Sequence, residues 1–330
     1  MKNVINGIKG CLIGVAAGDA MGMPSSMMSP QTIRDVFGYI DKFLPAPPNH
    51  ILHNGLIAGQ VTDDTQQTLI LADSIIAKGK VDPEDIARRL IEWAEANNAF
   101  SSLLVGPSSL RALNAIRSGK SISDSGKIGD TNGAAMRIAP VGIYGRGELL
   151  RTVDAVEKAC MPTHYTNVAI AGSAAVAMAI GVGLMEDANL DLLIEKALEA
   201  AQLGLQRGNI WYGASIIQRT QLAMQIINDS FDRTAQMEKL YDLVGTGVQM
   251  SETVPTSLAI VKIANGNPVE AVKIAANMGG DCDTIGAIVG GICGAIQGAD
   301  VFPLDWIERL QEVNGYDFDN YAEKLYEIIK

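Results

Sequence analysis

The chain has 330 residues, 48% of them hydrophobic, enough to bury a large core, and no composition shift divides the single domain expected over 1–330. Its 26 basic residues against 37 acidic ones leave a net charge of -11 with no Lys/Arg run, which argues against a nucleic-acid partner. The four cysteines, Cys11, Cys160, Cys282 and Cys293, lack CxxC spacing and sit among apolar or small residues, the pattern of reduced, buried thiols in a cytoplasmic protein.

The opening stretch MKNVINGIKGCLIGVAAGDA combines early lysines, a short apolar run and small residues, as a secretory leader does. Its apolar part is poor in Leu and Phe and runs straight into GDAMGMP, so a helix of the folded protein is expected instead. Gly10, Gly14, Gly18 and Gly22 recur every fourth residue, and Gly286, Gly290, Gly294 and Gly298 do the same near the other end. Glycine inside a helix costs about 1 kcal/mol relative to alanine. Each row therefore predicts a compensating close approach of backbones along a small-residue ridge, which places both helices at the centre of one core.

Residues 38–61, GYIDKFLPAPPNHILHNGLIAGQV, carry Pro45, Pro47, Pro48, His50 and His53 without helical periodicity. A loop of this length suits a lid. His50 and His53 have the spacing of an HxxH metal pair but no helical face to share, so a mobile surface loop is expected. In VTDDTQQTLILA, Thr62 reads as the cap of a helix with Asp63 and Asp64 in its first turn, where carboxylates favour the helix dipole.

The segments EDIARRLIEWAEA, LDLLIEKALEAAQLGL, ASIIQRTQLAMQIIND, PVEAVKIAANM and PLDWIERLQEV each put apolar residues on one face at helical spacing, with Pro83 and Pro268 suited to first turns. No run of alternating β-branched residues competes, and about ten helices are expected. Within GDTNGAAMRIAPVG, Gly129, Gly133 and Gly142 permit close backbone approach, while Asn132 and Arg137 offer an amide and a fixed cation to a phosphate or ribose. A turn into a short helix, with Arg137 in an ordinary ion pair, is the alternative. The uncharged stretch from Tyr165 to Met185 has the length of a membrane span, but its Ala, Gly, Thr166, Asn167 and Ser173 fit a buried central helix better.

In GGDCDT, Asp281 and Asp283 are expected on one side of a locally extended segment, with Cys282 turned away and Thr284 opening the glycine-spaced helix. If the two Thr/Asp clusters converge, they supply four carboxylates and two hydroxyls, an all-oxygen set suited to Mg2+ or another hard cation. Carboxylates brought together without cations repel, so convergence and cation binding stand or fall together. Two unrelated helix caps remain the alternative.

In this order, GCLIGVAAGDAMGMP, TDDTQQTL, NGAAMRIAPVG, THYTNVAIAGSAA and AANMGGDCDTIGAIVGGICGA resemble the ADP-ribosylglycohydrolase family, which includes the dinitrogenase-reductase-activating glycohydrolase. The resemblance implies an all-α, compact single-domain orthogonal helical bundle with a binuclear Mg2+ centre in a cleft, Mn2+ being the alternative ion. By the same resemblance Thr62, Asp63 and Asp64 ligate one side and Asp281, Asp283 and Thr284 the other, with Asp283 the bridge. Asn132, Gly133 and Arg137 fall where the family contacts ADP-ribose, and His164 falls near the cleft, a core histidine holding a loop being the competing reading.

The family reaction is hydrolysis at the anomeric carbon of a ribose. Asp64 is the first candidate, with Asp63 beside it, to accept a proton from the attacking water. Ser25 and Ser26 stand where many relatives carry a glutamate near the scissile bond, which makes Ser26 a candidate substrate contact and leaves the substrate open. The loop SGKIGDTNG offers no aromatic for an adenine; Trp211, Tyr212 or Tyr165 could stack from elsewhere, and each also reads as a core or wall residue. The expected activity is removal of ADP-ribose from a modified protein side chain such as arginine. An N-glycosidase acting on a small ribosylated metabolite or nucleoside is the alternative, and a non-catalytic ADP-ribose-binding module is the rival from another class. No membrane partner is expected.

Overall fold

Glycine at every fourth position gives the helix Val4–Gly22 a flank without side chains, and the helix Cys282–Gln297 carries a matching one. In the computed structural model, which describes residues 3–102, 105–229 and 232–330, these two flanks lie against each other. A Cβ added at Gly14 would stand 2.0 Å from the Gly290 carbonyl oxygen, and one at Gly18 would stand 1.8 Å from that of Gly286. The backbones are in direct contact, which is the gain that offsets glycine's poor helix propensity.

The protein is all-α. Among the described residues there are eighteen α-helical segments, and the only extended pairings are isolated bridges. The excess over the expected ten comes mainly from short segments such as Ile122–Ser125 and Gly133–Met136, single turns too brief to show a period in sequence. The five periodic segments are all helical, and Pro83 and Pro268 open theirs behind the caps Asp82 and Asn267.

The helix Asn167–Gly183 is capped by Thr166, whose hydroxyl accepts the Ala169 N–H at 3.2 Å. All its residues from Val168 onward are buried, and it packs on Leu190–Gly204, Ala139–Gly145 and Cys282–Gln297. It is a buried helix of the core. One helical stretch among the described residues, Val4–Ser25, is long and apolar enough by composition to cross a membrane; here it lies inside the core, which runs without a break from Ile8 to Ile329.

Candidate active site

Two positive-φ glycines set the start of the Cys282–Gln297 helix. Gly279 and Gly280 have φ of +84° and +83°, a backbone that side-chain-bearing residues rarely adopt, and a Cβ on Gly280 would stand 2.3 Å from the Thr246 carbonyl oxygen. The turn they make meets a second turn, after the first helix, through an isolated bridge: Met27 N–H donates to the Gly280 carbonyl at 2.6 Å, and Gly280 N–H to that of Met28 at 2.9 Å. Ser26 is thereby carried against Asp283, to whose Oδ1 its hydroxyl donates at 2.7 Å. The helix begins at Cys282, not Thr284, so Asp281 is its cap residue and Asp283 lies in its first turn. The expected extended run through Asp283 is corrected: the glycine turn starts the helix two residues earlier than the alternation suggested.

The other cluster opens the helix Asp63–Lys78. Thr62 is its N-cap, with a long 3.4 Å contact to the Asp64 N–H. A stronger anchor comes from Asp19, fully buried on the first helix, which accepts from the Thr62 N–H at 3.0 Å, the Thr65 N–H at 3.1 Å and the Thr65 hydroxyl at 2.5 Å. Asp19 was not among the residues singled out in sequence. A lone carboxylate within the apolar run GCLIGVAAGDAMG was its signal, because an unpaired buried Asp is rare.

The clusters converge. Asp63, Asp64, Asp281, Asp283 and Thr284 line one cavity of about 310 Å³, together with Asn132 and Gly133. Asp281 accepts from Asn132 Nδ2, Asp63 Oδ2 accepts from Gln67 Nε2 at 2.9 Å, and Asp64 Oδ2 accepts from the Thr62 hydroxyl at 3.1 Å. Asp64 Oδ1 is buried without any partner. An orphaned carboxylate oxygen beside the carboxylates of Asp63, Asp281 and Asp283 and the hydroxyl of Thr284 is what a hard cation satisfies, and these donor types fit Mg2+. Among the described residues no three His, Cys, Asp or Glu side chains already close around one point as a cage. The carboxylates of Asp63, Asp281 and Asp283 instead engage their protein neighbours.

Burial dominates the electrostatics. It raises Asp63 to about 7, with the charges of Asp283 and Asp19 adding to the effect, and raises Asp19 to about 6. Asp64 and Asp281 lie well above the usual carboxylate range, through burial first and the Asp283 charge second. Burial opposes ionisation of Asp283 as well, but the bond and charge of His53, with bonds from Asp281 and Ser26, outweigh it and hold that pKa below the usual range. Without ions the cluster thus favours ionisation of Asp283 over that of its carboxylate neighbours.

His50 and His53 are not on a mobile surface loop. They are only 6% and 7% exposed, stack with ring centres 5.1 Å apart, and His53 Nε2 bonds Asp283 Oδ2 at 2.8 Å. Arg137 and His164 stand one layer behind the cavity wall. Arg137 is fully buried and donates to Gln67 Oε1 and the Gly133 carbonyl, both at 2.9 Å, and to Thr163 Oγ1; these partners are neutral, in place of the ion pair weighed above. His164 bonds Thr131 and Thr163 beneath Gly133, and burial, with Arg137 and Arg111 nearby, keeps it well below its usual pKa. Trp211, Tyr212 and Tyr165 do not line the cavity: Trp211 bonds Asp130, Tyr165 bonds Glu157, and Tyr212 is 78% exposed.

Comparison with known proteins agrees with this architecture. A family model described as ADP-ribosylglycohydrolase matches residues 1–330. The chain is 36% identical over 320 residues to the uncharacterized protein YegU of Escherichia coli, covering 96% of both. It is 25% identical to the ADP-ribosylarginine hydrolase Tri1 of Pseudomonas putida, over 94% of this chain and 75% of that one. A solved structure titled ADP-ribosylglycohydrolase-related protein complex superposes with a TM-score of 0.73 at 22% identity over the whole of both chains, a likeness of fold. The chain belongs to the ADP-ribosylglycohydrolase family and is a glycohydrolase.

Proposed function

We propose that the protein is a divalent-cation-dependent glycohydrolase that cleaves the bond at the anomeric carbon of ribose and releases ADP-ribose from a modified side chain, arginine first among the acceptors. The observation that carries this reading is the meeting of Asp63 and Asp64 with Asp281, Asp283 and Thr284 in one cavity, with Asp64 Oδ1 unpartnered and the Thr62 hydroxyl on Asp64 Oδ2. Thr62, Asp63 and Asp64 would hold one ion and Asp281, Asp283 and Thr284 a second, with Asp283 between them. Bound Mg2+ supplies charge stabilisation and a template for the ribose hydroxyls and the attacking water.

The remaining work falls to the chain. Asn132 and Gly133 on the wall meet the sugar. Asp64 takes a proton from the water as the water's oxygen bonds to the anomeric carbon, and the glycosidic electron pair leaves with the departing nitrogen or oxygen, which then takes up that proton. Gln67 holds Asp63 from behind, and Arg137 holds Gln67. The likeness to an ADP-ribosylarginine hydrolase supports the choice of acceptor. The four buried, unpaired cysteines support a cytoplasmic setting.

A second reading, a small ribosylated metabolite as substrate, is favoured by one observation. Among the described residues lining the cavity there is no Lys or Arg to meet a diphosphate. Incubation with ADP-ribosyl-arginine and Mg2+, beside EDTA and an Asp283→Ala control, separates the readings. Free ADP-ribose that disappears in both controls supports the first. An intact substrate, with release of ribose from a nucleoside panel, transfers the assignment to the second.

A further inference from the structure

Between Phe37 and Asp63 the chain forms no helix. Its two ends are tied to the frame: Asn277 bonds the Ile40 N–H at 2.9 Å and carbonyl at 2.8 Å, Arg309 Nε donates to the Ala58 carbonyl at 3.0 Å, and Asn314 Nδ2 to that of Gly59 at 2.8 Å. The middle is held by its histidines. His50 Nδ1 accepts the N–H of Leu52 at 3.2 Å and of His53 at 3.0 Å, so the ring hydrogen sits on Nε2, which donates to the Ser26 carbonyl at 3.0 Å. His53, stacked on His50, donates Nε2–H to Asp283 Oδ2 at 2.8 Å, while the Ser26 hydroxyl and the Thr284 N–H occupy Asp283 Oδ1. The contacts close a ring through His50, Ser26, Asp283 and His53, and Ile51 and Leu52, spanned by that ring, form part of the cavity wall.

We propose that His53 is a positioning residue that latches the cavity wall at Ile51 and Leu52 to Asp283, so that the cation centre and the substrate wall assemble as one unit. The inference rests on the cation reading above. The donors from His53, Ser26 and Thr284 together fix the plane of the Asp283 carboxylate, and removal of an outer partner that orients a metal ligand typically weakens the ion about 10–100-fold. The same bond seats the wall, so losing it also raises the KM for substrate.

The test uses the full chain, with Mg2+ alone as the titrant in calorimetry and hydrogen exchange of the amides at positions 52 and 53 in the cation-free protein. His53→Ala is expected to weaken Mg2+ binding about 10–100-fold and to unprotect both amides. His53→Gln keeps a side-chain N–H donor and is expected to recover most of both. His53→Phe fills the space without a donor and is expected to behave as alanine does, which separates the bond from mere packing. Wild-type Mg2+ affinity with wild-type protection in folded His53→Ala or His53→Phe overturns the latch. A wild-type chain that takes up no Mg2+ overturns the cation reading instead, and the exchange measurement then decides the latch alone.

Discussion

Gly22 lies where the first helix touches the start of the helix that carries Asp283, and Gly22→Ala tests whether that contact sets the geometry of the site. The new Cβ would stand 2.2 Å from the Cys282 carbonyl oxygen and 2.6 Å from the Asp283 nitrogen. Carbon and oxygen that are not bonded need at least about 3 Å, so the backbones must part by roughly 1 Å. Overpacking of this kind costs about 1–3 kcal/mol, against up to about 1 kcal/mol returned by alanine's better helix propensity. A Tm lower by a few degrees follows. A shift of about 1 Å at a reacting group can cost about 100-fold in rate. Gly14→Ala makes an equally hard contact, 2.0 Å from the Gly290 oxygen, but eight residues away, about 12 Å along the helix. Thermal unfolding and ADP-ribose release at saturating Mg2+, below both midpoints, should show similar Tm losses and a far larger loss of turnover in Gly22→Ala. Equal turnover in the two variants, or an unchanged Tm in Gly22→Ala, would refute the argument.

Two further outcomes follow from the buried charges. Asp63 at about 7 and Asp19 at about 6 lie above their unfolded value near 4, so the folded cation-free protein holds more protons between those limits; the stability these two groups contribute is fully present below the unfolded value and is lost as pH rises through the folded ones. The Tm of the cation-free protein should therefore fall from pH 5 to pH 8, and added Mg2+ should raise it more at pH 8; a Tm that is flat or rises over that range contradicts the assignment. Arg137→Lys loses a planar fork that serves Gln67, Gly133 and Thr163 together, and urea unfolding should show a loss of about 2–3 kcal/mol with Asp63 left less firmly held.

The helices and the pairing of the two glycine rows were legible because each rests on a local period. The Thr/Asp clusters were legible as a pair because both stand at helix starts, even though the turn at Gly279 and Gly280 shifted the register by a residue or two. His53 was misjudged for a physical reason. A non-periodic, Pro-rich segment carries no local record of what holds it, and its tie to Asp283 crosses 230 positions through one side chain. Arg137 was read as reaching the cavity, but it closes the single helical turn begun at Gly133 and folds back onto that residue's carbonyl. Asp19 shows the reverse case: its anomaly was visible in the apolar run, but its partners at Thr62 and Thr65 were not.

The contact between Val4–Gly22 and Cys282–Gln297 also sets when, during synthesis, the enzyme comes into being. The first helix bears only Lys9 and Asp19 as charges, and its bare glycine flank waits for a partner that is translated much later. At 5–20 residues per second, the interval of about 260 residues lasts on the order of 10–50 s, during which an apolar helix is exposed and prone to aggregate. Chaperone depletion during translation should therefore lower the yield of soluble protein well before it affects the stability of molecules already folded. Asp283 arrives with that late helix, so the emerging chain passes through no stage at which half a site is competent.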